Sequence, residues 1–246
     1  MSGHSKWATI KHAKGAADAK RGQIFTKLIK EISIAARMGG GSLDGNPRLR
    51  TAILKARAAN MPRDNIERAV KKGTGELEGV NYEELIYEAY APGGVAIFIE
   101  VLTDNKNRAA ADIRNILTRA GGQLATTGSV SRLFKRLGVI TMDGEKYTED
   151  AVMEAALEGG AEDVSLSDGI IEVTSAPEDF EAVLNALQSK EFETMSAQIS
   201  MVADAEVLLD NDATAKVLRL IDKLEENEDV QNVYSNLTIP EGFEGE

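Results

Sequence analysis

Lysine and arginine crowd the first third of this chain. Lys6, Lys11, Lys14, Lys20, Arg21, Lys27 and Lys30 follow one another at intervals of one to six residues, and Arg48, Arg50, Lys55, Arg57, Arg63, Arg68, Lys71 and Lys72 continue the series. Residues 1–75 hold 16 Lys+Arg against 5 Asp+Glu, a net of +11; the whole chain holds 28 against 40, so residues 76–246 hold 12 against 35, a net of −23. Closely spaced cations neutralise phosphates and release counterions, which gives affinity for a polyanion with little sequence information. The alternative is a solvated charged face on a helical bundle. A smaller excess would favour that; one of this size favours nucleic-acid contact.

The other chemistry-bearing residues are few. Trp7 is the only tryptophan and stands among lysines. It suits either stacking on a base or anchoring its segment to neighbouring helices. There is no cysteine, so thiolate metal sites and thiol catalysis have no residues to use, and His4 and His12, the only histidines, stand eight residues apart with no acidic neighbour in register, a poor metal site better read as polar or phosphate contacts or as neutral decoration. Neither a Walker loop nor a GxGxxG is present. Asp104-Asn105-Lys106-Asn107-Arg108 falls between a strand-like run and a helical one, where a helix cap explains it better than a phosphate site does. Carboxylates are so abundant after residue 76 that no single pair stands out as an acid/base site. The reading is a non-enzymatic protein with no cofactor and no metal.

These cations need elements to position them. Residues 1–22 are small, basic and poor in large apolar groups, which predicts a flexible arm or a helix that orders on binding. Ile24, Phe25, Leu28, Ile29, Ile32, Ala35 and Ala36 share one face of a helix over about 23–38, with Lys27, Lys30 and Arg37 opposite and Gly39-Gly40-Gly41 as its end. Asn46-Pro47 starts a second helix with Leu49, Ala52, Ile53 and Ala56 inward. Pro62 starts a third with Ile66, Ala69 and Val70 inward and Gly73 as its close. Residues 23–78 therefore read as a helical bundle whose short second turn would allow a helix-turn-helix.

Beyond residue 79 the period changes. Strands over Leu85–Tyr90 and Val95–Thr103 flank the turn Ala91-Pro92-Gly93-Gly94, a helix follows over about 107–120, and a strand lies near Ser129–Phe134. Residues 138–205 spell βαββαβ: a strand over Val139–Met142, a helix capped by Thr148, a hairpin around Ser167-Asp168-Gly169, a helix opening at Ser175-Ala176-Pro177-Glu178, and a strand over Phe192–Val202. A helix over Asn211–Glu225 and a strand over Val230–Leu237 lack partners, while the segment 79–137 lacks a helix and a strand. The expectation is an α+β fold of three domains: the bundle, plus two ferredoxin-like α/β domains, one (138–205) inserted in the other (79–137 with 206–240).

Aromatic residues are 5% of the chain, so the cores must be aliphatic. No secretory signal or membrane-length apolar run is visible, which predicts a cytoplasmic protein without a membrane partner.

Three stretches, GHSKWATIKHAKGAADAKRGQIFTKLIKEI, NPRLRTAILKARAANMPRDNIERAVKKGTG and YEAYAPGGVAIFIEVLTDNKNR, resemble the YebC/PmpR family, and the likeness runs over essentially the whole chain. The resemblance implies a DNA-binding transcriptional regulator with a helical N-terminal domain and two α/β units, one inserted in the other. Members are also similar to the mitochondrial translational activator of cytochrome c oxidase subunit I, and others are regarded as ribosome-associated, which implies ribosomal RNA as the rival partner. It implies no catalytic residue. A third possibility is a protein adaptor whose basic head docks an acidic partner, and the acidic body is itself a possible surface for protein partners.

Overall fold

The computed structural model describes residues 19–240, 242 and 243. The expectations that fall on residues 1–18, among them Lys6, Trp7, Lys11 and Lys14, lie outside the described residues, as does the side chain of Lys20. The head comprises α1 (Ala19–Gly39), α2 (Pro47–Ala58) and α3 (Arg63–Thr74). Residues 19–22, the end of the segment read as an arm or a helix, are helical. Asn46 caps α2 as the Asn-Pro pair predicts: its Oδ1 accepts from Leu49 N at 3.0 Å, and its Nδ2 donates to the carbonyls of Ala35 and Gly40, both at 2.8 Å. One side chain therefore ties the end of α1 to the start of α2.

Gly73 does not close α3. It lies within the helix, where an added Cβ would come within 2.3 Å of the Ser33 carbonyl oxygen, so its role is to let α1 and α3 approach. The stop is Gly75, whose φ of 84° is left-handed. The head core holds Ile32, Ala35, Ala36, Leu49, Ala52, Ala56 and Ala69. On α1 the whole run Ile32–Ala36 is buried, Ser33 and Ile34 included. A helix covered by one neighbour buries one stripe; α1 has α2 and α3 on one side and the body on the other. Ile24, read as inward, is 43% exposed.

The body begins with β1 (Glu83–Tyr90), β2 (Ala96–Thr103), α4 (Lys106–Arg119) and β3 (Gln123–Leu124). It is completed, after a long excursion, by β8 (Val207–Leu208), α7 (Asn211–Glu225), β9 (Val230–Ser235) and β10 (Leu237–Thr238), taking the intervening strands as β4–β7 and helices as α5–α6. The sheet order is β3-β1-β2-β9, with every adjacent pair antiparallel. β2 and β3 are hence parallel with β1 between them, the split crossover of ferredoxin-like sheets, although here the chain opens on the β1–β2 hairpin. Ile97, Ile99 and Val101 of β2 pack with Ile113 and Leu117 of α4 and Val217, Ile221 and Leu224 of α7.

The excursion is β4 (Phe134–Asp143), α5 (Glu149–Glu158), β5 (Ala161–Ser167), β6 (Ile170–Ser175), α6 (Phe180–Ser189) and β7 (Ser196–Ala203). Its sheet order is β5-β6-β4-β7, again antiparallel throughout. Ile140, Met142, Ile171, Val173, Val152 and Leu187 fill its core. The chain is therefore α+β and multidomain. Three local expectations are corrected. Residues 131–133 form a 3₁₀ turn, and the strand that follows is one piece across the boundary drawn at 137/138. We propose that the inserted unit be counted from 134 to 203. The α6 helix opens at Phe180, because Ser175 is still paired in β6 and its Oγ donates to the carbonyl of Ala176. The last strand of the insert starts at Ser196, since Phe192 instead turns its ring edge-on to Tyr147 at 5.0 Å.

The insert leaves and returns at adjacent points: Phe134 pairs with Ala203, and Asp204 N donates to the Leu133 carbonyl at 2.9 Å. There the second face of the body sheet is covered. Ala96, Phe98 and Tyr234 pack with Val130 and Phe134, with Phe98 and Phe134 ring centroids 6.0 Å apart. The connecting loop is held by Glu88, whose buried carboxylate accepts from the backbone N–H of Gly128 at 2.7 Å, of Val130, and of Ser131 at 2.9 Å. Burial alone would raise the Glu88 pKa; the three amide donors outweigh it and hold the group below the usual carboxylate range. A depressed folded-state value contributes stability above the ordinary carboxylate pKa, and that stability disappears as pH falls through the depressed one. Glu88→Ala leaves three N–H groups without their acceptor. Urea unfolding at neutral pH is expected to show a loss of roughly 2–3 kcal/mol, and the difference between variant and wild type should shrink in strong acid.

Candidate nucleic-acid interface

The cations of the head divide into two populations. On α2 and α3, Lys55, Arg57, Arg68, Lys71 and Lys72 are exposed and carry no ion pair among the described residues. Arg21 and Arg37 are exposed on α1, and Arg37 donates to Asn81 Oδ1 at 3.1 Å. Arg63 is exposed but bound to Glu67 one turn on, at 2.6 Å. Arg50 donates to the Leu43 carbonyl at 3.0 Å and approaches Glu181 of the inserted unit at 3.8 Å. Arg57, Arg63 and Lys71 converge on one groove between α2 and α3.

The second population faces the body. Arg48 holds Glu31 with two nitrogens, at 2.7 and 3.0 Å, and reaches Glu84 of β1 at 2.5 Å. Glu31 first, then Glu84, raises the Arg48 pKa above the ordinary guanidinium range against the opposing effect of burial. Lys27 donates to the Glu225 carbonyl at the end of α7, 2.5 Å away.

Lys30, expected on the outward face, is the correction. It is 6% exposed. Its ammonium donates to Asp229 Oδ1 at 2.7 Å, to the Glu228 carbonyl at 2.9 Å and to the Leu102 carbonyl at 3.4 Å, and it lies 5.7 Å from the Tyr82 ring centroid. It does point away from the bundle core, but the body is docked there. Lys30 is consequently a structural cation, buried between the head and the body.

Asp229 also receives Arg108, at 2.9 Å to Oδ2 and 3.1 Å to Oδ1, and Arg108 holds Asp104 at 2.7 Å. Two cations from separate elements thus share one buried carboxylate. Burial would raise the Asp229 pKa, and Lys30 with Arg108 more than reverses that. The Asp104–Arg108 motif is thereby explained. Asn105 caps α4, accepting from Arg108 N at 3.0 Å; Arg108 is taken by Asp229 and Asp104, and Lys106 by Glu83 at 2.5 Å. Sequence reading missed Asp229, Tyr82 and Glu84 because no local pattern marks them: Asp229 stands 199 residues from its lysine.

Among the described residues no group of three or more His, Cys, Asp or Glu is arranged to hold a metal ion, and no helix is long and apolar enough to cross a membrane.

A basic three-helix head clasped to two nested α/β units defines a class of three-domain α+β proteins. The chain belongs to the TACO1/YebC family: residues 5–76 match the family's N-terminal domain and residues 82–237 its second and third domain. It is 69% identical over 244 residues, 99% of each chain, to a protein of Treponema denticola named a probable transcriptional regulatory protein. It is 54% identical over 241 residues, 98% of this chain and 99% of the other, to a protein of Borreliella burgdorferi that bears the same description. The crystal structure of the conserved hypothetical protein Aq1575 from Aquifex aeolicus superposes with a TM-score of 0.82 at 44% identity, covering 93% of this chain and 95% of that one.

Removing the shared carboxylate tests the clasp. Asp229→Ala leaves Lys30 buried and uncompensated, and unfolding should register a loss of about 3 kcal/mol, or release of the head to limited proteolysis at the α3–β1 connection. Pairing Asp229→Leu with Lys30→Met removes both charges and is expected to recover much of that loss. Because the Asp229 value is depressed, the wild-type clasp holds above the carboxylate range and opens only as pH falls through that lowered value.

Proposed function

We propose that this protein is a non-enzymatic, cytoplasmic regulator of gene expression that binds nucleic acid through the exposed cations of α2 and α3, Lys55, Arg57, Arg68, Lys71 and Lys72 foremost, together with the basic segment that precedes α1. The observation that carries the reading is the division of the head's charge. The body-facing cations are matched by carboxylates and carbonyls, whereas Lys55, Arg57, Arg68, Lys71 and Lys72 are exposed and have no ion pair among the described residues. Unmatched exposed cations at this density give a polyanion-binding surface. The acidic body keeps phosphates to that side. The names of the relatives, probable transcriptional regulatory proteins, support transcription as the setting, with duplex DNA as the partner that setting would require.

One observation favours ribosomal RNA instead. A helix that reads base edges from the major groove needs long polar side chains free at its N-terminal end. On α3 the first of these, Arg63, is bound to Glu67, and Asp64 beside it is an exposed carboxylate. Such a surface suits a folded RNA read by shape and phosphate better than a base sequence in a duplex.

The decisive comparison is binding to duplex DNA against co-sedimentation with ribosomes at near-physiological salt. Sequence-selective DNA binding that survives there supports transcription; DNA binding that collapses while ribosome association persists supports translation. In either case Lys71→Glu with Lys72→Glu should weaken binding and flatten the dependence of log K on log salt by about one per lysine. Charge reversal at Lys6, Lys11 and Lys14 should abolish it. Unchanged affinity in both variants would overturn the proposed surface.

A further inference from the structure

The groove between α2 and α3 has a composition that phosphate binding does not explain. It encloses about 820 Å³, open to solvent, and its walls include Leu43, Met61, Ile66 and Val70. Arg57, Arg63 and Lys71 line it too, and all three are exposed, which puts their charges at its rim. Leu43, on the loop that follows α1, is 36% exposed. Met61 and Ile66 form its floor and belong to the head core, so the apolar surface open beside the charges is that of Leu43 and half-buried Val70; a phosphate has no use for it, and an apolar floor with convergent polar groups at its rim is the composition of a ligand cleft.

We propose that this groove receives an unpaired base of RNA, with the flanking phosphates held by Arg57 and Lys71. The inference rests on the nucleic-acid reading above and narrows it. A base within a duplex keeps its faces stacked on its neighbours. A base splayed from a loop or bulge offers an apolar face that seeks burial and an edge that needs hydrogen-bond partners. The groove supplies both. Leu43 and Val70 take the face, and the exposed Arg63 guanidinium, which donates from Nε to Glu67 at 2.6 Å, adds a planar surface at the rim. At the other end Thr74 Oγ1 donates to Glu76 Oε1 at 2.9 Å, which places a hydroxyl and a carboxylate within the lining. Carboxylates accept from the exocyclic amino groups of bases.

The test uses the full chain and three probes of equal length: an RNA hairpin with one bulged 2-aminopurine, the same hairpin fully paired, and a DNA duplex. The bulged RNA is expected to bind about tenfold more tightly than the paired one, with a change in 2-aminopurine emission on binding. Leu43→Gln with Val70→Thr keeps every cation and should bring the two RNAs to within about threefold of each other, leaving the salt dependence unchanged. Thermal melting reports whether the head is still folded, and Leu43→Gln alone, on an exposed loop, repeats the test with least risk to the core. Equal binding of paired and bulged RNA, or a preference that survives in the groove variants, overturns the base site and leaves the cationic surface standing. Failure to bind any of the three overturns both. An acidic amphipathic peptide that occupies the groove without competition from RNA assigns it to a protein partner and overturns the proposal.

Discussion

The arrangement of this molecule depends on how one carboxylate is shared. Asp229 sits where the head, the α4 helix and the returning C-terminal strand meet, and it accepts from Lys30 on one side and Arg108 on the other. The head and the body have separate hydrophobic cores. Hydrogen bonds and ion pairs join them: Lys27 on the Glu225 carbonyl at the end of α7, Lys30 on the Glu228 carbonyl and the Asp229 carboxylate beyond it, and Arg48 on Glu84, with Ile34 of α1 buried beside them. A polar junction of this kind has strict geometry, because every buried charge must meet its partner or be left exposed to a large desolvation cost. It fixes α1 by direction, where an apolar seam would tolerate sliding. The orientation of α1 in turn decides which cations of α2 and α3 face outward.

That division of labour reorganises the charge asymmetry of the chain. The positive excess of the N-terminal third is not one uniform surface. Part of it neutralises the acidic body and is spent on architecture, and the rest stays exposed. The two parts interleave in sequence: Lys27, Lys30 and Arg48 are structural, while Arg57, Arg68, Lys71 and Lys72 are exposed. The second face of the body sheet is closed in a different way, by the aromatic contacts of Phe98, Phe134 and Tyr234. One unit of the protein is hence attached by charge and another by packing, and the two joints respond differently to salt and to acid.

Much of the fold was legible in the residues. Asn46-Pro47 announced the start of α2, the 3.6-residue spacing of Leu49, Ala52, Ile53 and Ala56 its buried stripe, and the change of period after residue 79 the switch to strands. The incompleteness of the segment before the insert pointed to the return of the C-terminus, because a sheet short of a strand must find one. What could not be read was anything set by two neighbours at once. Periodicity assigned Lys30 to an outer face correctly, yet could not reveal that a second unit covers that face. Gly73 looked like a terminator because its close contact with Ser33 belongs to another helix. The groove was invisible for the same reason: its walls come from two helices and a loop that each look ordinary alone.

The route of the chain through the body sheet sets an order of events during synthesis. β9 pairs with β2, and the whole insert is made between them. The head helices and the inserted unit are local in sequence and can form as they emerge. The body cannot: β1, β2, β3 and α4 must wait, with one strand edge and one helix-binding face open, until α7 and β9 are delivered. Asp229 arrives with them, at the start of β9, so Lys30 acquires its partner only when nearly all of the polypeptide exists. The clasp is therefore a record of completeness. A chain released early has a basic head and an insert that are each well formed, but it lacks the carboxylate that Lys30 and Arg108 share.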